Sequence, residues 1–312
     1  MTDQIYSPDR PLRIGTRGSP LALAQAHETR DRLMRAHGLA EAAFEVHVIK
    51  TTGDKVLDRP LSEIGGKGLF TKEIEAALID GRIDIAVHST KDVANELPTG
   101  LELSTYLPRE DVRDSFISRK YASLDDVPKG AVMGCSSIRR RAQLAARRPD
   151  LTFVEFRGNV QTRLKKLDDG VAEATLLACA GLERLGYTDL INPIPEGEML
   201  PAVAQGAISI EQRSDDEAAR AMLAPINDPE TALRVSIERA FLAVLDGSCR
   251  TPIGGLAEIR EGAIRFRGEI LRPDGATVHR TEETITDPAL AVEAGRACGA
   301  RLKAEAGDGF FA

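Results

Sequence analysis

The thirteen residues from Cys135 to Arg147 contain Ser136, Ser137, Arg139, Arg140, Arg141 and Arg147, and Arg148, Arg157, Arg163, Lys165 and Lys166 follow. Between Arg139 and Lys166, nine basic residues stand against two acidic ones (Asp150 and Glu155) in a chain of net charge -7. A cationic stretch in an acidic protein points to a localised anion site rather than a generally basic surface. Of 41 basic residues, 31 are arginine, whose planar fork grips a carboxylate or phosphate through two parallel hydrogen bonds. Arg147 and Arg148 fit a solvated helix face. Arg139, Arg140, Arg157 and Arg163 are assigned to the site because of what surrounds them.

Two further residues have types that do chemistry. Asp92 closes the polar run His88-Ser89-Thr90-Lys91-Asp92. A lone aspartate after a strand is commonly a cap, but among cations it becomes a candidate acid/base or cation-stabilising group. Cys249 sits in Gly247-Ser248-Cys249-Arg250-Thr251-Pro252, a loop-like setting where Arg250 could favour the thiolate if it lies close in space. Cys179 and Cys298 lie in alanine-rich segments and read as structural, while Cys135 is left undecided.

Other chemistries fail on spacing. Gly65-Gly66-Lys67-Gly68 lacks the upstream glycine and the following Ser/Thr of a P-loop. Five scattered histidines and four distant cysteines offer neither metal-ligand spacing nor a disulfide framework. The negative charge, 4% aromatic content and lack of tryptophan argue against a nucleic-acid surface. The N-terminal stretch has no apolar export core and no segment reaches membrane-spanning length, so a cytoplasmic protein without membrane contact is expected.

The elements that must position these residues follow an α/β plan, and at 312 residues two or three domains are expected. Leu12–Gly15, Phe44–Thr51 and Ile83–Val87 read as strands, with helices beginning near Pro20 and Leu69. A proline-bearing stretch around Leu97–Arg113 reads as a crossover. The plan then repeats, with strands at Ala131–Gly134, Thr152–Phe156 and Ala174–Ala178, and helices at Ile138–Arg147, Val160–Leu167 and from Ala180. Pro193, Pro195 and Pro201 precede a strand-like Ala207–Glu211. A helix over Thr231–Leu245, strands at Ile253–Ile259, Ala263–Leu271 and Thr277–Ile285, and a final alanine-rich helix form a small α+β unit. The pattern predicts parallel sheets whose polar motifs follow strand ends, the place where such sheets bind ligands. It also predicts a cleft between the two α/β units, lined by arginines.

Several motifs in order along the chain resemble the porphobilinogen deaminase (hydroxymethylbilane synthase) family. They are Thr16-Arg17-Gly18-Ser19-Pro20-Leu21-Ala22, Gly65-Gly66-Lys67-Gly68-Leu69-Phe70 and His88-Ser89-Thr90-Lys91-Asp92-Val93. Ser136-Ser137-Ile138-Arg139-Arg140, Arg157-Gly158-Asn159-Val160-Gln161-Thr162-Arg163 and Gly247-Ser248-Cys249 complete the set. The resemblance implies two periplasmic-binding-protein-like, doubly wound α/β domains plus a small α+β C-terminal domain. The implied boundaries are 1–107 with 205–224, then 112–201, then 228–312.

The resemblance also implies chemistry. Four porphobilinogen molecules are joined head to tail with loss of ammonia, and water releases linear hydroxymethylbilane, a transferase reaction of tetrapyrrole (heme, chlorophyll, cobalamin) biosynthesis. Growth would start from a dipyrromethane cofactor held through a thioether, at Cys249. Asp92 matches the catalytic aspartate, assisting proton transfer and stabilising the azafulvenium cation left when ammonia departs. Ser89, Lys91, Asp92, Ser137, Arg139 and Arg140 would contact the cofactor. Arg17, Ser19, Lys67, Arg157, Asn159, Arg163 and Arg184 would bind or organise substrate, with Gln205 on the hinge-side segment. Cys135 stands where threonine is common and Ala204 where glycine is frequent. No metal is implied, and the expected protein is a monomer passing its product to uroporphyrinogen-III synthase. The competing reading is a two-lobed binding protein for a small carboxylate or oxyanion, which leaves Cys249 and the third unit unexplained.

Overall fold

The computed structural model describes residues 6–55, 68–245, 251–307 and 309–310. The chain opens with β1 (Leu12–Thr16), α1 (Pro20–His37), β2 (Phe44–Val48), α2 (Thr52–Lys55), α3 (Lys72–Ile79), β3 (Ile85–Ser89) and β4 (Leu101–Tyr106). It continues with β5 (Asp114–Ser118), β6 (Val132–Gly134), α4 (Ile138–Arg147), β7 (Thr152–Val154), α5 (Val160–Asp168), β8 (Ala174–Ala178) and α6 (Cys179–Arg184). Then come β9 (Ile208–Arg213), α7 (Glu217–Leu223), α8 (Pro229–Val244), β10 (Ile253–Arg260), β11 (Ala263–Leu271), β12 (Val278–Ile285) and α9 (Ala291–Ala306).

Two compact units result. In the described residues, the first comprises 6–55, 68–109 and 207–232, and the second 110–206 with 233–245, 251–307 and 309–310. The first unit holds a five-stranded sheet in the order β2-β1-β3-β9-β4. Strand alternation divides its two faces. Ile85, Val87, Ile208 and Ile210 pack with Ala26 and Leu33 of α1, while Ala86 turns the other way, onto Ile74, Ala77 and Leu78 of α3.

The second unit contains the four-stranded sheet β5-β8-β6-β7 and the antiparallel sheet β10-β11-β12. The latter is the small α+β domain, packed with α9. Buried Glu238 of α8 accepts hydrogen bonds from the backbone N–H of Ala204 (2.7 Å) and of Ala257 (2.9 Å). It thereby ties the segment before β9 to β10. The described residues thus form mixed α/β sheets with helices, and an antiparallel α+β sheet follows at the C-terminal side.

Two expectations need correction. The sheets are not wholly parallel, because β9 runs against β3 and β4, and β5 against β8. β9 reaches its sheet after the chain has passed through the second unit, so no βαβ crossover fixes its direction. The stretch read as a crossover also contains a strand, Leu101–Tyr106, with a register shift between Leu103 and Thr105. Its flanking Pro98, Gly100 and Pro108 masked the alternation. No described helix is long and apolar enough to cross a membrane.

Candidate active site

In the first unit the polar motifs meet at the ends of β1 and β3. Arg17 follows β1, and its Nε lies 3.2 Å from Asp54 Oδ1 while its guanidinium carbon sits 4.1 Å from the centre of the Phe70 ring. Burial alone would raise the Asp54 carboxyl, but hydrogen bonds from Arg17 and Thr51 outweigh it and leave that carboxyl below its ordinary value. Ser19 caps α1, its Oγ accepting from the Ala22 N–H at 3.2 Å. At the end of β3, Ser89 Oγ is 2.9 Å from Gln25 Nε2.

The chain then makes a single 3-10 turn, Thr90–Asp92, in which Lys91 and Asp92 are exposed. The backbone N–H and the hydroxyl of Thr90 both bond the Ala207 carbonyl, each at 3.1 Å, anchoring this turn to the entry of β9. Arg17, Ser19, Gln25, Phe70, Thr71, His88, Ser89 and Asp92 line one pocket. The structure thus assembles Arg17, Ser19, Ser89 and Asp92 from two separate motifs. Asp54, Gln25 and Phe70 were not singled out from sequence, although Phe70 sits inside a motif that was.

In the second unit the arginine motif is a buried charge cluster. Ser137 caps α4 through the Arg140 N–H (3.4 Å). Arg139 and Arg140 both turn inward onto Asp114 at the start of β5, at 2.7 and 2.6 Å. Their remaining Nη1 groups donate to the Leu200 and Leu176 carbonyls, and Gln205 Nε2 also reaches Asp114 (2.8 Å). Complete burial opposes ionisation of Asp114, yet the two guanidinium charges overturn it and hold the carboxyl far below its usual range. Sequence reasoning missed Asp114.

Around α5, Asn159 is the cap, accepting from the Thr162 N–H at 2.8 Å. Arg163 Nε donates to the Gly158 carbonyl at 2.9 Å, Arg157 is buried, and Arg184 donates to the Gly206 carbonyl at 3.1 Å. Lys67 and Cys249 lie outside the described residues. Among the described residues no group of His, Cys, Asp and Glu could hold a metal ion.

The cluster itself is suited to an acidic ligand. Two guanidinium charges share one carboxylate, and the Nε of both Arg139 and Arg140 is buried with no acceptor among the described residues. A buried net positive charge with orphaned donors is costly unless an anion completes it. Such a donor set suits a dipyrromethane, whose rings carry acetate and propionate groups.

These features define a two-unit α/β protein extended by an antiparallel α+β domain. Residues 12–221 match the family described as "Porphobilinogen deaminase, dipyromethane cofactor binding domain", and residues 232–304 match "Porphobilinogen deaminase, C-terminal domain". A porphobilinogen deaminase of Paracoccus denitrificans (strain Pd 1222) is 65% identical over 280 residues, covering 89% of this chain and 90% of that one. A chloroplastic porphobilinogen deaminase of Oryza sativa subsp. japonica is 55% identical over 305 residues, covering 96% and 85%. The chain belongs to the porphobilinogen deaminase family. Membership makes it a dipyrromethane-dependent enzyme of tetrapyrrole biosynthesis, and a simple carboxylate-binding protein is not favoured.

Proposed function

We propose that the chain carries out the family's condensation of porphobilinogen into hydroxymethylbilane, as a transferase, with Asp92 as the group that handles the reacting proton. The observation that carries this is the first-unit pocket, where Asp92 shares a lining with Arg17, Ser19 and Ser89. When bound, the dipyrromethane supplies the nucleophilic pyrrole carbon to which substrate units add. Arg17 holds a substrate carboxylate with its guanidinium while Phe70 supports its flat face. Ser19 and Ser89 add hydroxyl donors, and Lys91 adds an ammonium. Asp92 holds or releases a proton at the substrate aminomethyl nitrogen as the C–N bond breaks, and its carboxylate stabilises the azafulvenium cation.

Arg139 and Arg140, with Ser137, receive cofactor carboxylates through donors that Asp114 leaves over. Arg157, Arg163, Arg184, Lys67 and Asn159 receive or organise those of substrate. Cys249 is the attachment point for the cofactor. What supports it is the state of the other thiols: Cys135, Cys179 and Cys298 are buried. Burial pushes all three thiols up, that of Cys179 to about 12 with help from Asp111 and Asp114. None is a ready thiolate at neutral pH.

The same reading divides the chain at 1–107 with 205–224, 112–201 and 228–312. It also gives a cytoplasmic monomer that hands its product to uroporphyrinogen-III synthase.

Asp92→Asn tests the proposal. The variant should fold and retain its cofactor but turn over more slowly by a factor of about 10²–10⁴, followed as hydroxymethylbilane formed per minute. Wild-type turnover would remove Asp92 from its role.

A further inference from the structure

Beneath the Asp92 pocket lies a buried polar cluster that the mechanism above does not use. On the α3 side of the first-unit sheet, His88 of β3 pairs in register with Ser209 of β9. The pleat puts Glu211 on that same face, and His88 Nε2 is 2.9 Å from Glu211 Oε2. Glu75 and Thr71 enter from α3 and the turn that precedes it. His88 is 5% exposed, Glu75 7%, Thr71 1%, and Ser209 and Glu211 0%.

Three oxygens of this cluster are buried without a hydrogen-bond partner among the described residues, Glu75 Oε1, Ser209 Oγ and Glu211 Oε1, and the Thr71 hydroxyl faces Glu75. Unsatisfied oxygens in such number do not persist in an apolar layer, and they call for a proton or donor. Two members, Thr71 and His88, also line the pocket that holds Asp92.

The remaining charged groups on this side are engaged elsewhere. Glu73 of α3 accepts from Thr52. Arg213 of β9 donates to the Leu78 and Ile83 carbonyls and pairs with Asp216. Arg13 of β1 pairs with Asp84, and β4 gives Leu101 to the same layer. Glu75 and Glu211 thus face one imidazole between them, and two full carboxylates would leave an uncompensated buried charge.

We propose that Glu75, Glu211 and His88 form one positioning unit for Asp92. An uncharged Glu75 leaves the Glu211 carboxylate to His88, and the oriented His88 braces the strand end that carries Ser89 and Asp92. The direction of the Glu75 titration agrees: burial raises its carboxyl and outweighs the lowering by the Thr71 hydroxyl, the nearby Glu211 raises it further, and His88 lowers it. Each condensation breaks one C–N bond, forms one C–C bond and breaks one C–H bond at the accepting pyrrole carbon. Starting from the protonated aminomethyl group, ammonia and the pyrrole C–H proton leave per turn, and Asp92 must keep a fixed geometry through both events. This inference rests on the role given to Asp92 above.

The test is the pH profile of kcat and KM for the cofactor-loaded enzyme. In the wild type, ionisation of Glu75 at rising pH puts a second carboxylate beside Glu211, so kcat falls on the high-pH side. Glu75→Gln, a neutral isostere, should fold and lose that fall. Glu211→Gln should lower kcat by roughly tenfold or more with KM little changed. A Glu75→Gln profile superimposable on wild type would overturn the proposal. Isotope-edited infrared spectroscopy of wild-type holoenzyme needs no variant: it should show a buried protonated glutamic acid at neutral pH, and its absence would overturn the proposal equally. Asp92→Asn, run alongside, separates the two readings. If it is fully active, the assignment of Asp92 fails; if it is inactive while Glu75→Gln is unaltered, the positioning unit alone fails.

Discussion

Asp114 accepts from Arg139, Arg140 and Gln205 with no exposure of its carboxylate. Removing the charge would leave two buried guanidinium groups facing each other, so Asp114→Asn should cost about 3–5 kcal/mol in urea denaturation at neutral pH. The sign of the pH effect follows from the depressed native carboxyl. Its contribution is complete above the unfolded value, roughly pH 4, and is lost as pH falls through the native one. Wild type should therefore lose this stability in acid, and Asp114→Asn should lack that part of the slope. A loss below about 1 kcal/mol at neutral pH would contradict a charge-bearing role. The arginines were legible because their density stands out in an acidic chain. Asp114 was not, since one aspartate among 48 acidic residues gives no sign of burial. The same holds for Glu75 and Glu211, whose environment is created only when α3 covers the sheet.

At the scale of elements, strand ends and helix starts carry the site. Ser19, Ser137 and Asn159 were read from sequence as ligand donors, and each also caps the helix that follows. Gly158, just before the last of these caps, has φ +123, and a Cβ there would lie 2.6 Å from Thr162 Cγ2. Gly158→Ala should therefore cost about 1–3 kcal/mol and disturb Asn159 and Arg163 together. Thermal or urea denaturation with substrate KM checks this; a change within about 0.5 kcal/mol and an unaltered KM would contradict it. Most strands and helices were legible from apolar spacing, because one-sided burial writes its period into the sequence. The reversal of β9 was not, since a strand's direction depends on where the chain has been. β4 escaped notice because prolines and glycine surround it and its register shifts midway.

For the whole molecule, the family and the order of its motifs were legible along nearly the full chain, while the tie made by Glu238 between the 201–206 segment and β10 was not. That tie joins residues far apart in sequence through backbone N–H groups, which no side-chain pattern announces. The central proposal at this scale is that the chain carries its dipyrromethane on a single thiol. Cys135, Cys179 and Cys298 are buried, with their thiols raised, in keeping with the proposed attachment at Cys249. Intact mass followed by peptide mapping of the purified protein tests this most directly. The account predicts one dipyrromethane-sized addition on the peptide containing Cys249, lost in Cys249→Ala together with activity. A fully active protein without the addition, or one bearing it on another cysteine, would contradict it.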